Sequence, residues 1–282
     1  MTFKVQNLYK CLPVLFKKRN TMIKTAILWV TLIFLSKPLF ADTTEVIIIG
    51  TVHYETDNFT PDSLYNIFTK ITPNVILLES DASYLTEDFK LRPGYEDIAN
   101  ETKAVTKYLM NSNPLLRPYD LENRDQFLFS TNRRRTERAF FDDLSDLYDE
   151  GKLTPDAIQL TDDLITNMSD AQSMTLSTPF NINRDENREI IEKINYYDFE
   201  AVSKIIEMTP ALSSYGNYWK EVNDFWLMRN DAMIENIKNY VKDFSGSRIV
   251  VLCGFAHKPY LLEGLSSLSK NGDIVIKNYW EN

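Results

Sequence analysis

The stretch Glu45–His53, EVIIIGTVH, decides the fold of this chain of 282 residues. It is an unbroken run of apolar, mostly β-branched residues ending at Gly50, which is typical of a strand buried on both faces of a sheet. The stretch Ile249–His257, IVVLCGFAH, repeats the pattern of apolar run, glycine, two residues and histidine. The chain has only two histidines, His53 and His257, and both occupy this position.

Strand and helix patterns alternate after the first run. Residues 60–71, TPDSLYNIFTKI, predict a helix with Thr60 as its N-cap and Pro61 at its first position. Residues 73–81, PNVILLESD, predict a second buried strand. Strand, helix and strand in this order form a βαβ unit, so we expect parallel strands.

The rest of the chain extends the same architecture. Residues 97–110 predict a helix, 116–120 a third strand and 123–244 a block of several helices. The last part of the chain predicts a strand, a helix and a final strand. We therefore predict an α/β fold, with a mainly parallel central sheet flanked by helices and a large helical insertion covering the C-terminal edge of the strands. We assign this fold to a single domain over residues 42–282.

Residues 1–41 form a leader outside this domain. The segment 22–41, MIKTAILWVTLIFLSKPLFA, has a lysine, a short apolar run and a final Ala41, as signal peptides do. The apolar run is too short to cross a bilayer comfortably. We predict export to the periplasm or medium with removal of the leader and no stable membrane span in the mature chain. An uncleaved membrane anchor is the alternative.

The composition limits the partners. The formal net charge of −9 argues against nucleic acid, which needs a basic face. The basic cluster at residues 133–138 is interrupted by acidic stretches and favours a solvated helix face. Removal of the leader leaves Cys253 as the only cysteine, and its apolar surroundings predict a buried, inert thiol. A peptide or small molecule is the expected substrate, and the oligomeric state is left open.

Polar residues stand where the predicted strands end. Ligands of open α/β sheets bind outside the carboxyl ends of the strands. The candidates there are His53, Glu79 and His257, with Asp81 and Asp120 as secondary candidates.

Gly50 and Gly254 precede the histidines and let the chain leave each strand sharply, through a positive φ or a close approach to another backbone. Two imidazoles and a carboxylate suit a divalent ion such as Mn, Co or Zn, which would activate a bound water. The same residues also work without metal, with a histidine taking a proton from water while Glu79 orients it. Either histidine by itself also fits a purely structural role.

Arg229 is the remaining candidate. It lies on the apolar stripe of a predicted helix, between Trp226 and Met233, where a buried guanidinium needs a partner. That partner is Glu79, another carboxylate or an anionic part of a substrate, unless the side chain extends to water. Asn230 is a weaker candidate beside it.

These residues together resemble the TraB/Tiki superfamily, which includes erythromycin esterases and ChaN-like haem-uptake proteins. The resemblance runs from the first strand to the last. Its marks are Gly50 to His53, Glu79 after PNVILL, the RNxxM pattern from Arg229 to Met233, and Gly254 to His257. Lys258 and Pro259 depart from the small or apolar pair common in this family.

The resemblance implies a hydrolase, and Tiki-like members are regarded as metal-dependent proteases. On that basis His53, Glu79 and His257 would hold the metal, and Arg229 would bind substrate or stabilise an oxyanion. Erythromycin-esterase-like members imply the alternative of His and Glu acting on water without metal. A haem- or metal-binding protein without turnover, with a histidine or Tyr54 as axial ligand, and a partner-binding module without chemistry are the further alternatives.

Overall fold

The computed structural model describes residues 43–281, so the predicted leader over residues 1–41 lies outside the described residues. Within them the chain forms a sheet of five parallel strands in the order β3–β2–β4–β1–β5. The strands are β1 (Thr44–Thr51), β2 (Val75–Leu78), β3 (Leu115–Pro118), β4 (Arg248–Gly254) and β5 (Ile274–Ile276). The predicted α/β fold is confirmed.

Ten α-helices surround this sheet in the described part of the chain. They are α1 (Pro61–Ile71), α2 (Asn100–Leu109), α3 (Arg124–Ser130), α4 (Arg133–Asp149), α5 (Pro155–Thr175), α6 (Pro179–Asn183), α7 (Arg188–Asn195), α8 (Val202–Met208), α9 (Gly216–Asp243) and α10 (Lys258–Lys270). Short 3₁₀ segments and one π-helical turn, Tyr196–Ala201, join them. Helices α3 to α9 thus fill the predicted helical block.

Strand β1 is buried on both faces, as its apolar run predicts. Ile47 and Ile49 pack with α1 and α2 on one face of the sheet. Val46 and Ile48 pack with α9 and α10 on the other. The alternation of side chains along a strand produces these two cores from one continuous apolar run.

The helical block has a core of its own. Phe140 of α4, Leu164 of α5, Ile205 of α8 and Trp219 of α9 belong to this third cluster. The long helix α9 is therefore shared, since its N-terminal half packs in the block and its C-terminal half packs on the sheet. Helix α9 thus connects the helical block to the sheet.

Two threonine–proline pairs set helix starts in this block. The hydroxyls of Thr154 and Thr178 accept hydrogen bonds from the backbone N–H groups of Ala157 and Asn181, at 3.3 Å each. A proline follows each cap at the first helical position, where its missing N–H costs nothing. The prolines of the block therefore begin helices and do not interrupt them.

Strand order brings the two glycine–histidine segments together. β1 and β4 are neighbours, in a register that pairs Gly50 with Cys253 and Thr51 with Gly254. Strands β1 and β2 are parallel, as the βαβ pattern predicts, but β4 lies between them. The described residues include no helix that is both long enough and apolar enough to span a membrane.

Candidate active site

The carboxyl ends of four neighbouring strands deliver the polar residues to one place. Asp120 follows β3, Glu79 follows β2, His257 follows β4 and His53 follows β1. Because all strands are parallel, these residues meet at the same edge of the sheet. Helix α9 passes over that edge and adds Arg229.

Glu79 lies at the centre, with only 6% of its side-chain surface exposed. Its Oε1 atom is 3.9 Å from Nε2 of His53 and 3.7 Å from Nε2 of His257. The same oxygen accepts a hydrogen bond from Arg229, and Oε2 accepts one from the backbone N–H of Gly254. Both histidines therefore face one carboxylate that is already hydrogen-bonded through both oxygens.

The ring of His53 is oriented by a second carboxylate. Its Nδ1 lies 2.8 Å from Oε1 of Glu101, which also accepts a hydrogen bond from the hydroxyl of Thr51. Asn100 fixes the backbone here, since its N–H donates to the carbonyl of His53 at 2.8 Å. The carboxylate makes Nδ1 the donor, so Nε2 is the atom available for chemistry.

His257 is the buried histidine. Its Nδ1 lies 2.8 Å from Oδ1 of Asn230, whose amide group donates to the carbonyl of Trp226. The ring also stacks on Trp226, with centroids 4.1 Å apart, and Trp226 stacks in turn on Phe199 of the π-helical turn. His257 is therefore locked in one orientation, with Nε2 toward Glu79.

Two arginines share the carboxylates of this cluster. Arg229 binds Asp120 through two hydrogen bonds, of 2.8 and 2.7 Å, and Glu79 through a third. Arg124 binds Asp120 at 2.6 Å, and its NH1 atom is 3.7 Å from Oε1 of Glu79. Arg229 thus pairs with two carboxylates through Nε and NH2, as expected of a guanidinium with 14% of its side chain exposed.

The surroundings push the pKa values of the histidines apart. Burial opposes protonation of His53, but the charge of Glu101 and the hydrogen bond to it outweigh burial and raise the pKa of His53. Since 55% of its side chain is exposed, solvent screening limits the size of this shift. Burial is the main cause that lowers the pKa of His257 to about 4, against the opposing charge of Glu79. At neutral pH the ring of His257 is uncharged, whereas the carboxylate of Glu101 favours the protonated form of His53.

Glu79 stays ionised in this setting. Burial by itself raises the pKa of a carboxyl group. Neighbouring groups able to carry positive charge, His257, Arg229 and His53, outweigh burial and hold the pKa of Glu79 well below its ordinary value.

Close approach of neighbouring groups accounts for both glycines. A Cβ atom on Gly254 would lie 3.0 Å from Nε2 of His53, and one on Gly50 would lie 3.2 Å from the Cα atom of Phe255. Neither glycine is among the described residues with positive φ. Of the two reasons predicted for a glycine here, close packing is the one that applies.

A cavity of about 210 Å³ opens beside His53. Glu79, Glu101 and Arg124 also line it, whereas His257 and Arg229 do not. Of the two histidines, His53 is therefore the one in contact with this cavity.

The hydrogen bonds of Glu79 compete with metal binding at the predicted centre. Both oxygens of Glu79 are hydrogen-bonded, and the Arg229 cation lies against the oxygen that faces the histidines. Two imidazole nitrogens remain, fewer than the three protein ligands of typical catalytic zinc sites. No group of three or more His, Cys, Asp or Glu residues in the described part of the chain is placed to hold an ion. The predicted metal centre stays a prediction.

The structure brings most of the predicted site residues together and leaves some apart. His53, Glu79, His257, Arg229, Asn230 and Asp120 form one contacting cluster. Asp81 has a different role, since its carboxylate caps a short 3₁₀ turn through the N–H of Ser83 at 2.8 Å. Tyr54 is 61% exposed. Cys253 is fully buried, as its apolar run predicts.

Sequence reasoning missed three residues of the site. Asn100 and Glu101 stand in the first turn of α2, where no motif marks them. Arg124 could have been predicted, because it lies four residues after the candidate Asp120 and pairs with it at the start of α3. Trp226, placed on the apolar stripe of the predicted helix, also stacks on the ring of His257.

The chain matches no protein-family model, no curated protein and no solved structure. The resemblance to the TraB/Tiki superfamily therefore stays a prediction from the motifs.

Proposed function

We propose that this protein is an exported hydrolase that cleaves an ester or amide bond with His53 as general base and without a metal ion. The observation that carries the proposal is the setting of His53. Its Nδ1 is tied to Glu101 at 2.8 Å, its Nε2 faces Glu79 at 3.9 Å, and its ring borders the cavity. A base oriented by a carboxylate and open to substrate is the arrangement that activates water.

The reaction follows from this geometry. When His53 is unprotonated, its Nε2 takes a proton from water as the water oxygen bonds to the substrate carbonyl carbon, and the carbonyl electron pair moves to oxygen. When the tetrahedral intermediate collapses, the bond from carbon to the leaving oxygen or nitrogen breaks. The proton on His53 passes to the leaving group. The products are a carboxylic acid and an alcohol or amine.

The other residues position this base and shape the electrostatics. Glu101 holds the His53 ring and stabilises its protonated form. Glu79 presents a fixed negative charge to the imidazolium that forms, and Arg229 holds that carboxylate in place. His257 is neutral and buried, so we assign it a positioning role toward Glu79.

The donor set supports the metal-independent alternative. A dication at the two Nε2 atoms would share the Glu79 oxygen with the Arg229 guanidinium, and two cations at one carboxylate oxygen repel each other. His53 needs no metal to activate water, because Glu101 already supplies the charge that stabilises the imidazolium.

The test uses tag-free protein, because a histidine tag would add ligands to a chain that has only two histidines. Hydrolysis of chromogenic esters and anilides is measured before and after exhaustive chelation, together with the metal content of the protein. We expect activity to survive chelation, and His53→Gln to lower kcat/KM at least a hundredfold.

Tyr54→Phe is the matched control, because it alters an exposed side chain next to His53. Activity lost on chelation and restored by Mn, Co or Zn would favour the metal-dependent reading. Wild-type turnover in His53→Gln would overturn the proposal.

A further inference from the structure

The cavity beside His53 is lined by apolar residues on one part of its wall and by polar residues on the rest. Leu78, Leu91, Ile98 and Ala99 form an apolar part, and His53 lies among polar residues in the rest of the lining. Its volume of about 210 Å³ equals that of about seven waters and is smaller than a typical pocket for a whole small-molecule ligand. The cavity therefore accommodates one part of a substrate, about six to eight non-hydrogen atoms.

The charged groups in the wall already have partners. Arg124 pairs with Asp120 at 2.6 Å, and Glu101 pairs with His53 at 2.8 Å. A carboxylate of the substrate would lose its hydration here, would find Arg124 already paired and would lie close to the carboxylates of Glu79 and Glu101, which is costly. The wall therefore favours an uncharged group over an anionic one.

Three buried polar atoms on residues of the same wall lack protein partners, and one of them is Oε2 of Glu101. The hydroxyl of Ser80, a residue only 5% exposed, makes no hydrogen bond. Nε of Arg124 makes none either, and the carboxylate of Asp125 is 3.5 Å away from it. The hydroxyl of Ser80 and Nε of Arg124 are buried behind the cavity surface. Because buried donors without partners are costly, a carbonyl oxygen that the wall shifts to admit would gain hydrogen bonds from both.

We propose that this cavity is the acyl subsite of the enzyme, and that it takes a compact, uncharged, apolar acyl group whose carbonyl oxygen accepts hydrogen bonds from Arg124 and Ser80. This inference rests on the proposed hydrolase function and names its substrate class, short-chain acyl esters or amides. Arg124 then supplies the oxyanion contact that sequence reasoning assigned to Arg229, because Arg229 is bound by Asp120 and Glu79 and does not line the cavity.

The first experiment measures binding, so that it does not depend on turnover. Calorimetric titration compares acetamide, hexanamide and glutaramate, which carries a carboxylate at the far end of a chain of similar length. Each buried methylene improves affinity about fourfold, so hexanamide is expected to bind on the order of a hundredfold more tightly than acetamide. Glutaramate is expected to bind at least tenfold more weakly than hexanamide.

Substitutions in the cavity wall test whether the difference in affinity between the amides arises there. Ala99→Leu adds three carbons to the apolar wall and is expected to weaken hexanamide at least tenfold while leaving acetamide unchanged. Ala82→Leu is the matched control, since Ala82 is exposed and does not line the cavity. Arg124→Gln is expected to weaken acetamide and hexanamide by the same factor.

The outcomes separate this inference from the proposed function. Equal affinity for acetamide and hexanamide, tighter binding of glutaramate, or no effect of Ala99→Leu would overturn the acyl subsite even if His53→Gln abolishes turnover. Retained turnover in His53→Gln would overturn the proposed function even if hexanamide binds in the cavity. Absence of binding by all three probes would also refute the subsite.

Discussion

Nδ1 of His53 lies 2.8 Å from Oε1 of Glu101, so a carboxylate from another part of the chain orients the proposed general base. The ring belongs to the segment after β1, and the carboxylate belongs to the first turn of α2. The contact fixes which nitrogen of His53 carries a proton and which one faces the cavity.

Replacing Glu101 by Gln is expected to reduce kcat/KM by about 10²- to 10⁴-fold, because the neutral amide holds the ring but no longer stabilises the imidazolium. The pKa of His53 should fall, since the charge of Glu101 is the main cause that raises it. Steady-state kinetics and a histidine NMR titration measure the two effects. Glu87→Gln, an exposed residue, is the control. An unchanged pKa of His53 in Glu101→Gln would contradict the pairing.

The two histidines should titrate separately. We expect the His53 signal in NMR to titrate above the ordinary value of about 6.5 and the His257 signal at about 4. Protonated His53 has no lone pair for water, so activity should decrease as pH falls through the raised pKa of His53. A tag-free sample gives two signals, and His53→Gln assigns them. Titration of both rings near pH 6.5 would refute this assignment.

The two arginines should behave differently on substitution. Arg229→Gln leaves Glu79 without its guanidinium and removes both of the hydrogen bonds that Arg229 gives Asp120, so the free energy of unfolding should fall by about 3–5 kcal/mol. Arg124→Gln leaves Asp120 paired with Arg229, so the loss should be about 1.5 kcal/mol.

Enzymatic activity, in contrast to stability, should depend more on Arg124 than on Arg229. Arg124→Gln is expected to lower kcat about 10²-fold if Arg124 donates to the developing oxyanion. Urea unfolding and kinetics on the same preparations make the comparison. A more stable Arg229→Gln than Arg124→Gln would contradict the hydrogen-bond pattern, and full activity of Arg124→Gln would contradict the oxyanion role.

Gly254→Ala tests how closely His53 approaches the β4 chain. The added methyl would lie 3.0 Å from Nε2 of His53, so the exposed ring must move by a few tenths of an ångström. We expect kcat/KM to fall at least tenfold, because small displacements of a base are costly, with a stability change within about 1 kcal/mol. In Gly216→Ala the new methyl has an ordinary neighbour at 3.9 Å, which makes it a suitable control. Equal activity in the two variants would show that the approach is not needed.

The sequence by itself determined the fold class and the main residues of the site. Continuous apolar runs mark buried parallel strands because burial on both faces leaves no place for polar residues, and this pattern is local. The same runs end at Gly50 and Gly254, so the positions of His53 and His257 at the strand ends followed directly. Glu79 followed from the same argument.

Only the tertiary structure decided which of these residues touch and which one is open to substrate. Strand β4 lies between β1 and β2, which brings both histidines close to Glu79. No local sequence pattern predicts this strand order. Glu101 reaches His53 across 48 positions, and Arg229 reaches Glu79 across 150. Burial separates an exposed His53, whose protonated form its neighbours favour, from a buried, neutral His257. The two share one sequence motif, but the free energy of a charge depends on its surroundings in three dimensions.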